Sequence, residues 1–462
     1  MLDTQSYKDE SRMDSVIAEK IQDFFDEGVP EVFERDLDLG PVRPPARGNL
    51  ATVVTGVRRC GKTYRLFQEM RRIVAEGWPA ESILYFNFED ERLKPYRQGL
   101  LAEVLDTFYA MRPTARRDGA FLFFDEIQEV PEWGAFLRRV VDGTKSTVYV
   151  TGSSSRMLSV DLASEFRGRA ISRELFPMGF AEYARYHGAE VPAGAAEGGA
   201  VGSAARAELR HSLPGYLSRG GFIAVQGLPA SDTVQLLQEY ANRTVALDVI
   251  ERHGVRNPAA AARFLARCLA SSGRELSLNR AAAAFKSAGL AVSRATLSGL
   301  LGYYGESYLV FELGEFSRSL AENARSASKV YAVDPGMLAA FSPSASRDEG
   351  QRLETAVFDR LRRGAGGMRA GAISRLLVDD GGRHEVDFVV GDALLGDGYR
   401  LVQATVSMAD GATREREVGG LRAGMRRLGA GEGWVVTMDD EEEIPVPEGT
   451  VHVVPAWRWL LG

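Results

Sequence analysis

Residues 56–63 read GVRRCGKT. Two glycines with four residues between them are followed by lysine and threonine, the spacing of a phosphate-binding loop. The run before it, LATVVTG (50–56), is short, apolar and rich in β-branched residues, which predicts a buried strand. The run after it, KTYRLFQEMRRIVAEG (62–77), carries apolar residues at helical spacing and stops at a glycine. A loop between strand and helix aims its backbone N–H groups inward, and the helix start adds partial positive charge. Gly56, Val57, Arg58, Arg59, Cys60, Gly61, Lys62, Thr63 and the adjoining Tyr64 are therefore expected to bind the phosphates of ATP. Lys62 would reach the β- and γ-phosphates, and the Thr63 hydroxyl would ligate Mg²⁺.

Further apolar strands alternate with helices: SILYFNFED (82–90), LLAEVLDTFYAM (100–111), GAFLFFDEI (119–127), STVYVTGS (146–153) and AISRELFPM (170–178). Alternation of this kind predicts βαβ units and a parallel sheet. The strand FLFFDE ends in two carboxylates. Asp125 is expected in the Mg²⁺ shell, and Glu126 is expected to orient or deprotonate the attacking water. VYVTGSSSRML (148–158) ends in hydroxyls, of which Thr151, Ser153 or Ser154 would sense the γ-phosphate; the alternative is a serine-rich turn capping the next helix.

The 462 residues exceed one core, so several domains are expected. A net charge of −7 gives no whole-chain case for nucleic acid or membrane. Two cysteines, Cys60 and Cys268, exclude a disulfide framework and fit a reducing compartment. There is no secretory pattern at the start and no run of about 18 apolar residues, so the expectation is a cytoplasmic protein with no membrane partner. Residues 1–48 carry twelve acidic and six basic residues and read as a helical, solvated lead-in. PAGAAEGGAVGSAARAE (192–208) reads as a linker or surface insertion. The stretch 276–313 reads as helix, turn, helix and a short strand pair, with Ser293 as an N-cap, an order that suits a winged helix. Residues 271–326 carry six basic and five acidic residues; Arg274, Arg280, Lys286, Arg294 and Arg318 would form any DNA-reading face, and a protein-packing role is the alternative. The acidic run MDDEEEIPVPEG (438–449) reads as a solvated loop.

GVRRCGKT, FFDEIQEVPEWGAFLRRVVD (123–142), VTGSSSRML (150–158) and SEFRGRAISRELFPMGFAEY (164–183) together resemble a large prokaryotic group of AAA+-type ATPases. The resemblance is dense over about 35–190 and looser beyond. It implies ATP binding by an additional-strand P-loop fold with slow hydrolysis. It also implies that Arg167 or Arg169 acts as an arginine finger or nucleotide sensor; two surface arginines at a helix end are the alternative. A finger supplied in trans would need an oligomer.

The same resemblance implies a restriction-endonuclease-like domain at the C-terminus. Glu354 in RLETAVFDRL and Asp387 in HEVDFVV are its candidate metal ligands. The position of the usual carboxylate holds Gln403, and Thr405 stands where a lysine is expected, so the metal site reads as vestigial.

The expected architecture is thus α/β: an acidic lead-in (1–39), a P-loop AAA+-type ATPase domain (40–190), a linker (191–208), a helical, winged-helix-like region (209–325) and a nuclease-like domain (326–462). The expected function is a Mg²⁺-dependent ATPase, with Glu126, Lys62 and an arginine as catalytic groups, that acts on DNA or a protein partner. A slow nucleotide switch and an ATP-regulated nuclease are the alternatives.

Overall fold

The computed structural model describes residues 3–153, 168–196, 198–290, 292–317, 328–342, 348–364, 372–380, 382–391 and 398–462. The chain divides into two compact units, one of residues 1–56 and 61–175 and one of residues 57–60 and 176–462.

The first unit is built on five parallel strands: β1 (Ala51–Thr55), β2 (Ile83–Asn87), β3 (Ala120–Asp125), β4 (Ser146–Gly152) and β5 (Ala170–Glu174). Their spatial order is β2-β3-β4-β1-β5. Strand β1 lies between β4 and β5, with Val53 opposite Val150 and Ser172. Helices α1 (Asp3–Glu27), α2 (Lys62–Ala75), α3 (Leu100–Met111), α4 (Pro113–Asp118) and α5 (Trp133–Gly143) accompany the sheet. Strands β1, β3 and β4 are buried along their whole length, as parallel strands covered on both faces must be. Each buried phenylalanine of β3 contributes about 1.5–3 kcal/mol of burial. Phe121, Phe123 and Phe124 therefore draw the strand, and Asp125 at its tip, under cover.

The lead-in is not simply solvated. Val16, Ile17 and Ile21 of α1 are buried in the core of the first unit, and α1 packs against α3 and β2. Its apolar stripe is narrow and lies among charges that dominate a count of composition.

The second unit carries α6 (Phe180–Tyr186), α7 (Ser203–Arg219), α8 (Ala230–Thr244), α9 (Pro258–Ala270), α10 (Leu278–Ser287), α11 (Arg294–Glu306) and α12 (Pro335–Phe341). A seven-residue π-helical stretch, Val245–Glu251, continues α8. The unit begins at Phe176 rather than near 190 because the rings of α6 pack onto α7, with Phe180 and Tyr183 each against Tyr216. The expected linker is partly helix: α7 starts at Ser203 and buries Ala205 and Leu209. Alanine favours helix as readily as it fills a linker.

Strands β6 (Arg274–Glu275), β7 (Val310–Leu313) and β8 (Lys329–Ala332) form an antiparallel sheet of order β6-β8-β7 around the α10–α11 pair. Ser293 caps α11 by accepting from the Thr296 N–H. After α13 (Glu349–Gly364) comes a six-stranded sheet of β9 (Ile373–Asp379), β10 (Arg383–Val390), β11 (Arg400–Ala404), β12 (Glu432–Thr437), β13 (Glu442–Val446) and β14 (Gly449–Pro455). Its order is β13-β14-β12-β11-β10-β9. Helix α14 (Gly411–Leu428) makes the crossover between the parallel strands β11 and β12, and α15 (Ala456–Trp459) follows β14. The acidic run expected as a loop contains edge strand β13, paired antiparallel to β14. Charged side chains suit an edge, where they discourage pairing with another chain.

Where β8, β10 and α13 meet, the Lys329 ammonium lies 3.1 Å from Glu354, 2.9 Å from Glu385 and 3.0 Å from Asp387. Tyr331 donates to Glu354 at 2.8 Å. Burial alone would lower the Lys329 pKa, but Asp387, Glu354 and Glu385 raise it above its usual value. Burial and the neighbouring Asp387 push the Glu354 carboxyl up to about 7, against the pull of Lys329 and Tyr331.

Lys329→Met leaves these carboxylates without their cation and is expected to cost about 3–5 kcal/mol, read as a lower Tm. The folded state holds the Glu354 proton more tightly than the ordinary carboxyl at 4.5. Its contribution to stability is therefore lost as pH rises from about 4.5 to about 7. Glu354→Gln should flatten the fall in Tm between those pH values; an unchanged slope would rule out this group as its source.

Candidate functional site

The tip of β3 and the start of α2 meet at the carboxyl end of the parallel sheet, the end at which ligands bind in open α/β folds. Between β1 and α2 the chain turns at Gly56 (φ 155°) and Gly61 (φ 100°), and Arg59 adopts a left-handed φ of 68°. A Cβ on Gly61 would stand 3.2 Å from the Arg35 guanidinium, so glycine serves both the turn and the space.

Lys62 Nζ donates to the Gly56 carbonyl at 3.2 Å and pairs with Glu126 at 3.2 Å. The Thr63 hydroxyl donates to Asp125 at 2.7 Å. Asp125 is fully buried and also accepts from the hydroxyls of Thr151 and Tyr85, the latter at 3.0 Å. Burial and the Glu126 charge raise its pKa, and the hydroxyls of Thr151, Thr63 and Tyr85 pull it back. Tyr85 is raised well above its usual range by its own burial and by Asp125. Glu126 sits at φ 53°, a conformation that costs a non-glycine residue on the order of 1 kcal/mol or more. Its N–H donates to Thr151 Oγ1 at 2.9 Å, and its carboxylate accepts from Gln128 Nε2 at 2.6 Å. Buried Ser153 lies 3.5 Å from the same amide.

The structure thus brings together Gly56, Gly61, Lys62, Thr63, Asp125, Glu126 and Ser153. Tyr64 is exposed on the outer face of α2, and Cys60 is buried. Val57–Cys60 group with the second unit, where Arg58 pairs with Asp248 at 2.6 Å and Arg59 lies 5.0 Å from the Tyr240 ring. Arg169 is not among the assembled groups. It precedes β5 at the opposite end of the sheet, where its carbonyl accepts from Ala51 and its guanidinium pairs with Asp142 at 3.1 Å. Arg167, Ser154 and Arg318 lie outside the described residues.

Three contributors were not read from the sequence as site residues. Gln128 stands two residues past Glu126 in DEIQEV, a spacing that returns its amide to the carboxylate across a short 3₁₀ turn. Tyr85 had no signal beyond its place in a strand. Arg35, buried beside Gly61, lies in ERDLDLGPV (34–42), a segment whose sequence suggests adenine contacts but singles out no residue.

The C-terminal candidates Glu354 and Asp387 are brought together, yet around an ammonium. Lys329, which sequence spacing could not connect to them, supplies the positive charge absent at Thr405. Gln403 spends its amide on the backbone, accepting from the Asp387 N–H at 2.6 Å and donating to the Glu385 carbonyl at 3.0 Å. No group of three His, Cys, Asp or Glu side chains suited to a metal occurs among the described residues. The three carboxylates here converge on the Lys329 ammonium instead. No helix among the described residues is long and apolar enough to cross a membrane.

Comparison with known proteins adds family to geometry. Residues 48–184 match the model of an AAA domain, and residues 210–348 match a domain of unknown function, DUF8612. The uncharacterized protein MJ1544 of Methanocaldococcus jannaschii is 30% identical over 440 residues, 93% of this chain and 91% of that protein. An uncharacterized protein of Haemophilus influenzae is 23% identical over 316 residues, 68% of this chain and 74% of that protein. Among solved structures, the Walker-type ATPase PABY2304 of Pyrococcus abyssi is 16% identical with a TM-score of 0.36, covering 65% of this chain and 99% of that one. The chain belongs to the same family as MJ1544, and its residues 48–184 are an AAA-type P-loop ATPase domain.

Proposed function

We propose that this chain binds and hydrolyses ATP with Mg²⁺ at the Lys62–Thr63–Asp125–Glu126 site and uses the nucleotide state to act on DNA. The observation that carries the catalytic reading is the pair of contacts at the carboxyl end of the parallel sheet: the Lys62 ammonium with the Glu126 carboxylate, and the Thr63 hydroxyl with the Asp125 carboxylate. Asp125 is a buried carboxylate that accepts from the hydroxyls of Thr63, Tyr85 and Thr151 and from the Asn87 amide. A hard cation with oxygen ligands suits that environment. Thr63 and Asp125 would hold Mg²⁺, which would supply positive charge to the phosphate oxygens.

The chain's own groups divide the remaining work. Lys62 is held by Glu126, so ATP competes for it; its transfer to the phosphates releases the Glu126 carboxylate to accept a proton from the attacking water. Gln128 keeps that carboxylate in place once Lys62 has left. Thr151 binds both the Asp125 carboxylate and the Glu126 N–H, and so fixes the two acids relative to each other.

The DNA reading rests on β6, α10, α11, β7 and β8, which follow the order of a winged helix. Arg280 and Lys286 on α10 and Arg294 on α11 are exposed. The outer face of α11 is small and polar, with Ala295, Thr296, Ser298 and Gly299 exposed, a surface that can approach a groove closely. Nuclease chemistry is not part of this proposal, because the C-terminal acids already hold a lysine.

Glu126→Gln is expected to keep ATP binding while lowering steady-state hydrolysis by about 10²-fold or more. Hydrolysis at the wild-type rate would remove Glu126 from the mechanism. Duplex DNA should raise the wild-type rate, and Arg280→Glu with Lys286→Glu should abolish that rise without changing the basal rate. Turnover indifferent to DNA would instead favour a nucleotide switch with a protein partner.

A further inference from the structure

A cavity of about 780 Å³ lies in the second unit, far along the chain from the residues discussed above, between the six-stranded sheet and helices α13 and α15. Arg400 of β11, Trp434 of β12, His452 of β14, and Arg458 and Trp459 of α15 line it, with Arg360 of α13. The aromatic groups are arranged in series. His452 stacks on Trp434 at 5.6 Å and 24°. The Arg400 guanidinium lies 4.8 Å from the Trp434 ring and 4.2 Å from the Trp459 ring. Together these contacts hold a flexible side chain in one orientation.

The cavity also has acidic residues, and each has its own basic side chain beside it. Glu441 pairs with Arg458 at 3.0 Å, Glu442 with Arg414 at 2.7 Å, and Glu443 lies 3.6 Å from His452. Arg400 differs. Among the described residues no carboxylate pairs with it, and burial lowers its pKa. A guanidinium that is exposed at its edge, fixed at its faces and lacking an anion presents a planar fork of N–H donors. The complement of that fork is a planar pair of anionic oxygens, and phosphate and carboxylate oxygens form such pairs with arginine.

We propose that Arg400 anchors a second phosphate-binding site, on which Trp434 and Trp459 hold the guanidinium to clamp one phosphate group of a nucleotide or of a nucleic-acid backbone. The site is separate in sequence and chemistry from the phosphate loop, and it does not rest on ATP turnover. The two sources share the same oxygens and differ in what lies beyond them. A free nucleotide fits within the cavity, whereas a polynucleotide adds contacts outside it and a steeper salt dependence.

The test uses the full chain carrying Lys62→Ala, so that binding at the phosphate loop is suppressed. Inorganic pyrophosphate is titrated against indole fluorescence, and a labelled single-stranded oligonucleotide is titrated by anisotropy. At least one probe should bind, and Arg400→Gln should weaken it by roughly tenfold or more. Arg400→Lys should lose nearly as much, because a point charge cannot replace the fork. Trp434→Phe should remove most of the pyrophosphate-induced fluorescence change. Tighter binding of the oligonucleotide, with a steep salt dependence, assigns the phosphate to a nucleic-acid backbone; binding of pyrophosphate alone assigns it to a small phosphorylated ligand. Failure of both probes to bind, or unchanged binding by an Arg400→Gln protein of wild-type Tm, overturns the proposal.

Discussion

Asp125 is a carboxylate with no exposed surface, at the end of a strand whose phenylalanines force it under cover. A charge in that position is costly unless other groups compensate it. The compensation on the chain is incomplete in one specific way: hydroxyls of Thr63, Thr151 and Tyr85 reach it, and its pKa still lies above the ordinary carboxylate range. The ammonium that could have neutralised it, Lys62, is committed to Glu126 instead. On the proposed reading, the phosphate loop, Glu126 and Gln128 keep that buried charge open to a cation brought from outside.

The second unit solves the same electrostatic problem differently. Glu354, Glu385 and Asp387 also converge, but around Lys329, a cation carried by the chain itself. Asp125 is reached by hydroxyls and an amide, the setting in which the proposed Mg²⁺ would bind, whereas the other acids already contain their counter-charge. Two acidic groups of similar sequence appearance therefore have opposite consequences, one for chemistry and one for stability. The Arg400 cavity is the complementary case, a fixed cation that no carboxylate pairs with among the described residues.

The parallel sheet and the phosphate loop were legible because their signals are local. LATVVTG, the glycine spacing and FLFFDE each fit within ten residues, and the structure orders them as strand, loop and helix. The acids at the C-terminus were legible as individual residues but not as a site. Lys329 is 25 residues from Glu354 and 58 from Asp387 in sequence, and only the meeting of two sheets joins them. Composition misled in both acidic segments: the three buried residues of α1 and the β13 edge strand were outvoted by their charged neighbours. The Ala/Gly-rich stretch misled because alanine carries no sign of whether it is packed, and Ala205 is. Arg169 was read from a motif, and the strand it precedes directs it to the far end of the sheet.

The most direct test of the account is the Mg²⁺ dependence of ATP affinity, measured for the wild type and Asp125→Asn by calorimetry alongside Tm. If Asp125 is a buried charge kept for a cation, Mg²⁺ should strengthen ATP binding by the wild type. Asparagine should abolish most of that gain while leaving Tm unchanged or higher, since a buried charge has been removed. An Asp125→Asn protein with a full Mg²⁺ effect on ATP affinity, or one destabilised by the loss of the charge, would contradict it.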